Sequence, residues 1–273
     1  MTSMIWNKAR TAIAWRPFVN SFADWAILCL LHLAGRGRAS WKRVAVPVHA
    51  SKDSSPLYLR VGTSDFVTFR EVFIEEEYRI ARTHIDGEIR GVLDLGANIG
   101  LASRWLLRLW PQATITAVEP SVDNCRILER NLNAVAGCRG FCIVNAFVGG
   151  RPRQAVLASR GDGFENEGVL VEAYEGQPAT PVVTVADLSP RQGVSADLVK
   201  IDIESSELEL FTSDTSWTNA FHWMLIELHA PLDETWLLSR LDGWHVVACE
   251  RRHANACLAL LRNTRFSDNA AAS

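Results

Sequence analysis

The sequence predicts a doubly wound α/β domain with a mostly parallel sheet, and three observations support this. Apolar runs of strand length alternate with stretches of helical period from Gly91 onward, the pattern of β–α–β units sharing one sheet. A glycine-containing turn, Asp94-Leu95-Gly96-Ala97-Asn98-Ile99-Gly100, separates the first run, Val92-Leu93, from the first amphipathic stretch, Leu101 to Trp110. Polar residues end five of the runs: Asp94, Glu119, Asn145, Asp202 and Glu227. Ligands of such sheets collect at the carboxyl ends of the strands.

The 273 residues are 48% hydrophobic and 22% charged, which suits one large globular domain with an extension. A net charge of -3 argues against nucleic acid as a partner, since its binders are basic. The six cysteines form no Cys-x-x-Cys pair, and no histidine cluster accompanies Cys138 and Cys142. A zinc site is therefore not expected, and most of the six lie in apolar runs and read as buried thiols of a reducing, cytoplasmic compartment.

Residues 1–40 form a helical extension. Trp25 to Ala34 is apolar apart from His32 and follows Lys8, Arg10 and Arg16. The run starts late for a secretory signal, carries Asp24 at its edge, and is too short to span a bilayer. Two packed amphipathic helices are expected, with attachment to a membrane surface as the less favoured alternative, then a Gly35-Arg36-Gly37-Arg38 linker. Residues 41–90 add a hairpin, Val44-Ala45-Val46 with Leu57-Tyr58-Leu59 around Ser51 to Pro56. A helical stretch follows from Ser64 to Arg82.

Residues 91–273 form the ligand-binding domain. Its second strand, Thr114 to Val118, ends at Glu119-Pro120, and Ser121 caps a helix that turns Cys125, Leu128 and Leu132 inward. Phe141 to Val144 is a third strand ending at Asn145-Ala146. Residues 149–181 lack a clear period and read as a lid with short strands. Leu198 to Ile203 is a fourth strand, and Ser206-Glu207 opens a helix through Phe211. Trp223 to Ile226 is a fifth, ending Glu227-Leu228-His229. Asp233 to Leu241 is helical, and Trp244 to Cys249 closes the sheet against Ala256 to Leu261.

An acid at the tip of the second strand can accept both hydroxyls of a ribose, so Glu119 marks a nucleoside site. The glycine spacing is Gly-x-x-x-Gly, neither the dinucleotide fingerprint nor a phosphate-binding loop with its Lys-Ser/Thr. Asp94 and Glu119 would surround the ligand with negative charge, which suits a cation without phosphate: S-adenosylmethionine. Asp94, Gly96, Ala97, Asn98, Gly100, Glu119, Pro120, Asn145, Ala146 and Asp202 are the candidate cofactor residues. A nucleoside-binding protein without catalysis and a nicotinamide-dependent oxidoreductase are the alternatives. The first has no use for acids on the fourth and fifth strands, and the second wants a third glycine.

Several blocks resemble the FkbM family of methyltransferases: Thr63-Ser64-Asp65-Phe66, Glu77-Tyr78, Leu93 to Gly100, Val118-Glu119-Pro120, Lys200-Ile201-Asp202-Ile203-Glu204-x-x-Glu207 and Ile226-Glu227-Leu228-His229. The resemblance runs from about Trp41 to Cys249. Members commonly have Glu-Gly-Ala-Glu where this chain has Glu204-Ser205-Ser206-Glu207. The resemblance implies a Rossmann-like class I methyltransferase whose seven-stranded sheet ends in an antiparallel hairpin. It further implies transfer to a hydroxyl of a polyketide, another secondary metabolite or a sugar. Ser64 and Tyr78, from its first two blocks, join the cofactor set, Tyr78 as an aromatic face for the sulfonium.

A hydroxyl acceptor must lose its proton, so a base near the methyl group is expected. Asp202, Glu204 and His229 are the candidates, each with a structural alternative: an acid on the cofactor amine, a helix-entry charge and a satisfied histidine. A divalent metal on Asp202, Glu227 and His229 is the less favoured arrangement, and no metal is expected to be required. The expected partner is a small hydroxyl-bearing molecule.

Overall fold

The computed structural model describes residues 16–34, 45–50, 55–61, 63–135, 137–159, 168–174, 177–188, 197–204, 206–253 and 256–266. The Gly35 to Arg38 linker, most of the hairpin turn and the first of the two expected N-terminal helices lie outside these residues.

The main sheet has seven strands in the order β12-β13-β11-β10-β3-β4-β5. These are β3 (Gly91–Leu95), β4 (Thr114–Val118), β5 (Phe141–Val144), β10 (Leu198–Ile201), β11 (Trp223–His229), β12 (Trp244–His253) and β13 (Ala256–Asn263). The pairs β3–β4, β4–β5, β3–β10 and β10–β11 are parallel, while β13 runs antiparallel to both β11 and β12. All five residues of β3 and all four of β10 are buried, as expected for strands covered on both faces. The chain proceeds outward from β3 to β5 and returns to β10 on the other side of β3. That reversal opens a crevice between the ends of β3 and β10, the usual ligand position in such sheets.

The hairpin β1 (Ala45–Val48) and β2 (Leu57–Arg60) packs over α4 (Leu101–Leu109) and α5 (Val122–Asn133). Buried Arg104 of α4 ties the three together. Its guanidinium donates to the carbonyls of Asn131, Pro56 and Ser55 at 2.7, 3.1 and 3.2 Å. α5 starts as expected, with the Ser121 hydroxyl accepting from the Asn124 amide. In the extension, α1 (Phe22–Ala34) is held to the hairpin by Asp24, which accepts from the His49 amide at 3.0 Å. Among the described residues no helix is long and apolar enough to cross a membrane.

Two details refine the sequence reading and two differ from it. The stretch from Ser64 to Arg82 is not one helix. α2 (Asp65–Phe69) widens into a π turn at Arg70–Ile74, and Glu76 at φ 49° ends it before α3 (Arg79–His84). The insertion builds its own sheet, ordered β6-β9-β7-β8, from β6 (Phe147–Val148), β7 (Arg153–Ser159), β8 (Gly168–Glu172) and β9 (Thr180–Val183). After β9 come α6 (Val185–Leu188), α7 (Glu207–Thr212) and α8 (Glu234–Leu238). α8 is shorter than expected: Asp233 stands outside it as the cap, accepting from the Trp236 amide at 2.7 Å, and Ser239 ends it. None of the six cysteines is fully buried, and Cys249, on edge strand β12, is exposed.

Candidate active site

The glycine turn is fixed by the strands around it. The amides of Gly96 and Ala97 both donate to the Val118 carbonyl, at 3.0 Å each. Gly96 has φ +76°, and a Cβ there would overlap the backbone carbonyl oxygen of Asp202. Its freedom therefore serves close approach to the end of β10, and the residue also lines the cleft. Gly100, at φ +81°, precedes α4, and a Cβ there would run into the δ-methyl of Leu128. Asn98 and Glu204 also have positive φ, 50° and 54°. For Glu204 such a conformation costs on the order of 1–2 kcal/mol, and both residues line the same cleft.

Asp94 does not face the ligand as the sequence reading had it. It is wholly buried, accepting from the Ser103 hydroxyl at 2.6 Å, with its other oxygen 3.2 Å from the Lys200 ammonium. Lys200 donates to the Gly96 carbonyl at 2.9 Å and lies 3.6 Å from Asp202. Burial lowers the Lys200 pKa, but Asp94 and Asp202 outweigh it and hold the amine above its usual value. The pair Asp94–Lys200 positions the loop, and its charges cancel beneath it.

Glu119 sits in the cleft wall, 5% exposed. One oxygen accepts from the Asn98 amide at 2.9 Å, and the other from the Ser121 amide and the Asn124 side chain at 2.8 and 3.1 Å. Burial pushes its carboxyl up to about 7 against the lowering effect of these donors. A carboxylate has about four acceptor positions, so one remains for a ligand hydroxyl where the sequence reading had both ribose hydroxyls. Asn145 stands behind this wall, donating to the carbonyls of Glu119 and Pro120 at 3.0 and 2.8 Å.

Of the sequence-derived candidates, Gly96, Asn98, Glu119, Pro120, Ala146, Asp202 and Glu204 line the cleft. Ala97 is buried under the turn, Ser64 begins α2, and Tyr78 packs its ring on Trp105 at 6.0 Å. The wall also contains Asn124, Phe147, Val148, Leu157, Leu170, Ile203 and Ser206, none of which the sequence reading identified. Asn124 carried a signal, a polar residue on the inward face of a capped helix. Leu157 and Leu170 carried none, because they meet only through the β7–β8 pairing. Among the described residues the lining holds no Lys, Arg or His. Acids at one end and apolar side chains at the other suit a cationic nucleoside cofactor.

Beyond Asp202 lies a second polar group. Donor atoms of Asp202, Glu227 and His229 lie within 4.8 Å of one another. The Nδ1 of His229 pairs with fully buried Glu207 at 3.2 Å, and its Nε2 is 3.9 Å from Glu204. Burial lowers the His229 pKa, but Glu207 and the surrounding acids outweigh it and bring it to about 9. Burial, with Asp202 and Glu77 adding to it, pushes the Glu227 carboxyl up to about 8. Glu77 is itself held by Arg252 at 3.0 Å. The roles of Glu77, Glu207 and Arg252 were missed, although the first two lie in the blocks quoted for the resemblance.

A glycine turn and strand-tip acid beside a cleft, on a seven-stranded sheet closed by an antiparallel hairpin, are the features of a class I methyltransferase. Residues 94–267 match the Methyltransferase FkbM domain, and the chain belongs to that family. Methyltransferase sdnD of Sordaria araneosa is 28% identical over 199 residues, spanning 62% of this chain and 73% of that protein. Aeropyrum pernix fibrillarin, solved with S-adenosyl-L-methionine, is 11% identical with a TM-score of 0.42, covering 68% of this chain and 74% of its own. A Pyrococcus horikoshii transferase is 15% identical with a TM-score of 0.45, covering 81% and 72%.

Proposed function

We propose that this methyltransferase methylates a hydroxyl group of a small molecule, a polyketide, a related secondary metabolite or a sugar. Its cofactor is S-adenosylmethionine. The observation that supports this best is the shared cleft, which Asp202 and Glu204 line together with Gly96 and Glu119. When bound, the cofactor supplies a methyl group already activated by its sulfonium, so the protein's part is alignment, exclusion of water and removal of one proton.

Each part has residues for it. The turn and Glu119 hold the nucleoside, and Phe147, Leu157 and Leu170 keep that end dry. Asp202 and Glu204 are the proposed proton acceptors. His229 is held protonated up to about 9, so near neutral pH it stabilises neighbouring carboxylates. If it were the base, methyl transfer would rise as pH climbs through that value. A flat profile there assigns the proton to the acids.

Glu119→Ala is expected to weaken S-adenosylmethionine binding by about tenfold or more, since a hydrogen bond to a charged group contributes roughly 1.5–3 kcal/mol. The variant also frees the Asn98 amide, loosening the loop. Calorimetry showing unchanged affinity would remove Glu119 from the site.

A second reading has one observation in its favour, the closeness of Asp202, Glu227 and His229 with Glu207 behind the ring. A carboxylate on one ring nitrogen is the usual support for a metal on the other. In that reading a divalent ion orients the acceptor oxygen. Methyl transfer from labelled S-adenosylmethionine to a panel of hydroxyl acceptors, with and without EDTA, separates the two. Activity is expected to survive chelation, and loss restored only by Mg²⁺ would establish the metal.

A further inference from the structure

A different cluster lies on the closing hairpin, one strand away from β11. In the β12–β13 pairing Arg251 faces Cys257, and Cys249 faces Ala259. Residues two apart on a strand share a face, so Cys249 and Cys257 are diagonal neighbours on one side of the sheet, with their thiols hydrogen-bonded. Glu234, the first residue of α8, brings a carboxylate oxygen to 4.0 Å from the Cys257 sulfur. All three donor atoms lie within 4.8 Å of one another. Neighbouring Leu228 of β11 pairs with Cys257, while His229 is opposite Ala256. The cluster therefore sits on the opposite sheet face from His229 and is independent of the methyl-transfer site.

The geometry points to a binding site for a thiophilic divalent cation, Zn²⁺ being the natural class, held by Cys249, Cys257 and Glu234. Two sulfurs on one tetrahedral zinc, with bonds of about 2.3 Å, lie roughly 3.8 Å apart. A small side-chain adjustment thus brings all three donors into one coordination sphere. Two thiolates and a carboxylate are a donor set for zinc and not for Mg²⁺ or Ca²⁺, which take oxygen ligands alone. Cys249 is exposed, leaving the fourth position to water.

Burial pushes the Cys257 thiol up to about 12, and Cys249, Glu234 and Asp233 add to the rise. Burial, with Glu234 and Glu250, also raises Cys249, against an opposing effect of Arg251. Burial chiefly disfavours a bare thiolate at both sulfurs, so an ion must displace a proton from each. On binding, each thiol gives its proton to solvent and each sulfur forms one bond to zinc, so two protons leave per ion with no change of oxidation state. The ion would clamp α8 to the hairpin that closes the sheet.

The test is a titration of the full chain, reduced with a phosphine, using Cd²⁺ as an optical probe and Zn²⁺ as competitor. Thiolate-to-cadmium charge-transfer absorption is expected to saturate at one equivalent and to be displaced by Zn²⁺, with two protons released per zinc in weak buffer. Cys249→Ser, at an exposed position that does not threaten folding, should abolish the band, and Cys257→Ser should do the same. No band in the wild-type chain, or a band that persists in both serine variants, overturns the proposal. A zinc-induced rise in melting temperature should appear in the wild type and be absent in Cys249→Ser.

Discussion

Gly96→Val is expected to abolish S-adenosylmethionine binding. The residue stands at φ +76°, where side chains are strained, and any Cβ collides with the Asp202 backbone carbonyl. Relieving that overlap means parting the ends of β3 and β10, which breaks the hydrogen bond from the Asp202 amide to the Leu95 carbonyl, 3.0 Å in the native chain. The same movement shifts the Lys200 contact on the Gly96 carbonyl and carries Asp202 away from the cleft. Calorimetry should find no cofactor binding, while far-UV circular dichroism shows a folded chain of lower melting temperature. Normal affinity in this variant would mean that the turn does not form the cofactor site.

Lys200→Met is expected to have the largest effect on stability. Lys200 is 2% exposed and compensates Asp94, which is wholly buried. Removing one member of such a pair leaves an unmatched buried charge and costs about 3–5 kcal/mol. The Gly96 carbonyl loses its donor as well. Urea denaturation should report a loss in that range, and the double variant Lys200→Met with Asp94→Asn should recover part of it. A single-variant loss below about 1 kcal/mol would show that the Asp94 charge is compensated some other way.

These two residues also show what the sequence could and could not tell. The alternation of strands with helices is a local signal, so the sheet, its closing hairpin and the polar residues at its strand tips were legible from Gly91 onward. The direction of Asp94 was not. It belongs to a strand in which every residue is buried, and without a solvent face no period says which side chains point to the ligand. The role of Gly96 depends on Asp202, a neighbour only after β10 returns beside β3. Glu119 was placed correctly at its strand tip, yet its oxygens are mostly taken by amides that only the folded turns bring together. Leu157 and Leu170 join the wall through pairing inside the insertion, where the sequence had no period to read.

The measurement closest to the central claim is calorimetric titration of the purified chain with S-adenosylhomocysteine, the product of the proposed reaction, and separately with NAD. The account predicts saturable one-to-one binding of S-adenosylhomocysteine and none of NAD, because the turn Gly96 to Gly100 lacks the third glycine of the dinucleotide fingerprint. Binding of NAD in its place, or a folded chain that binds no S-adenosylhomocysteine, would contradict it.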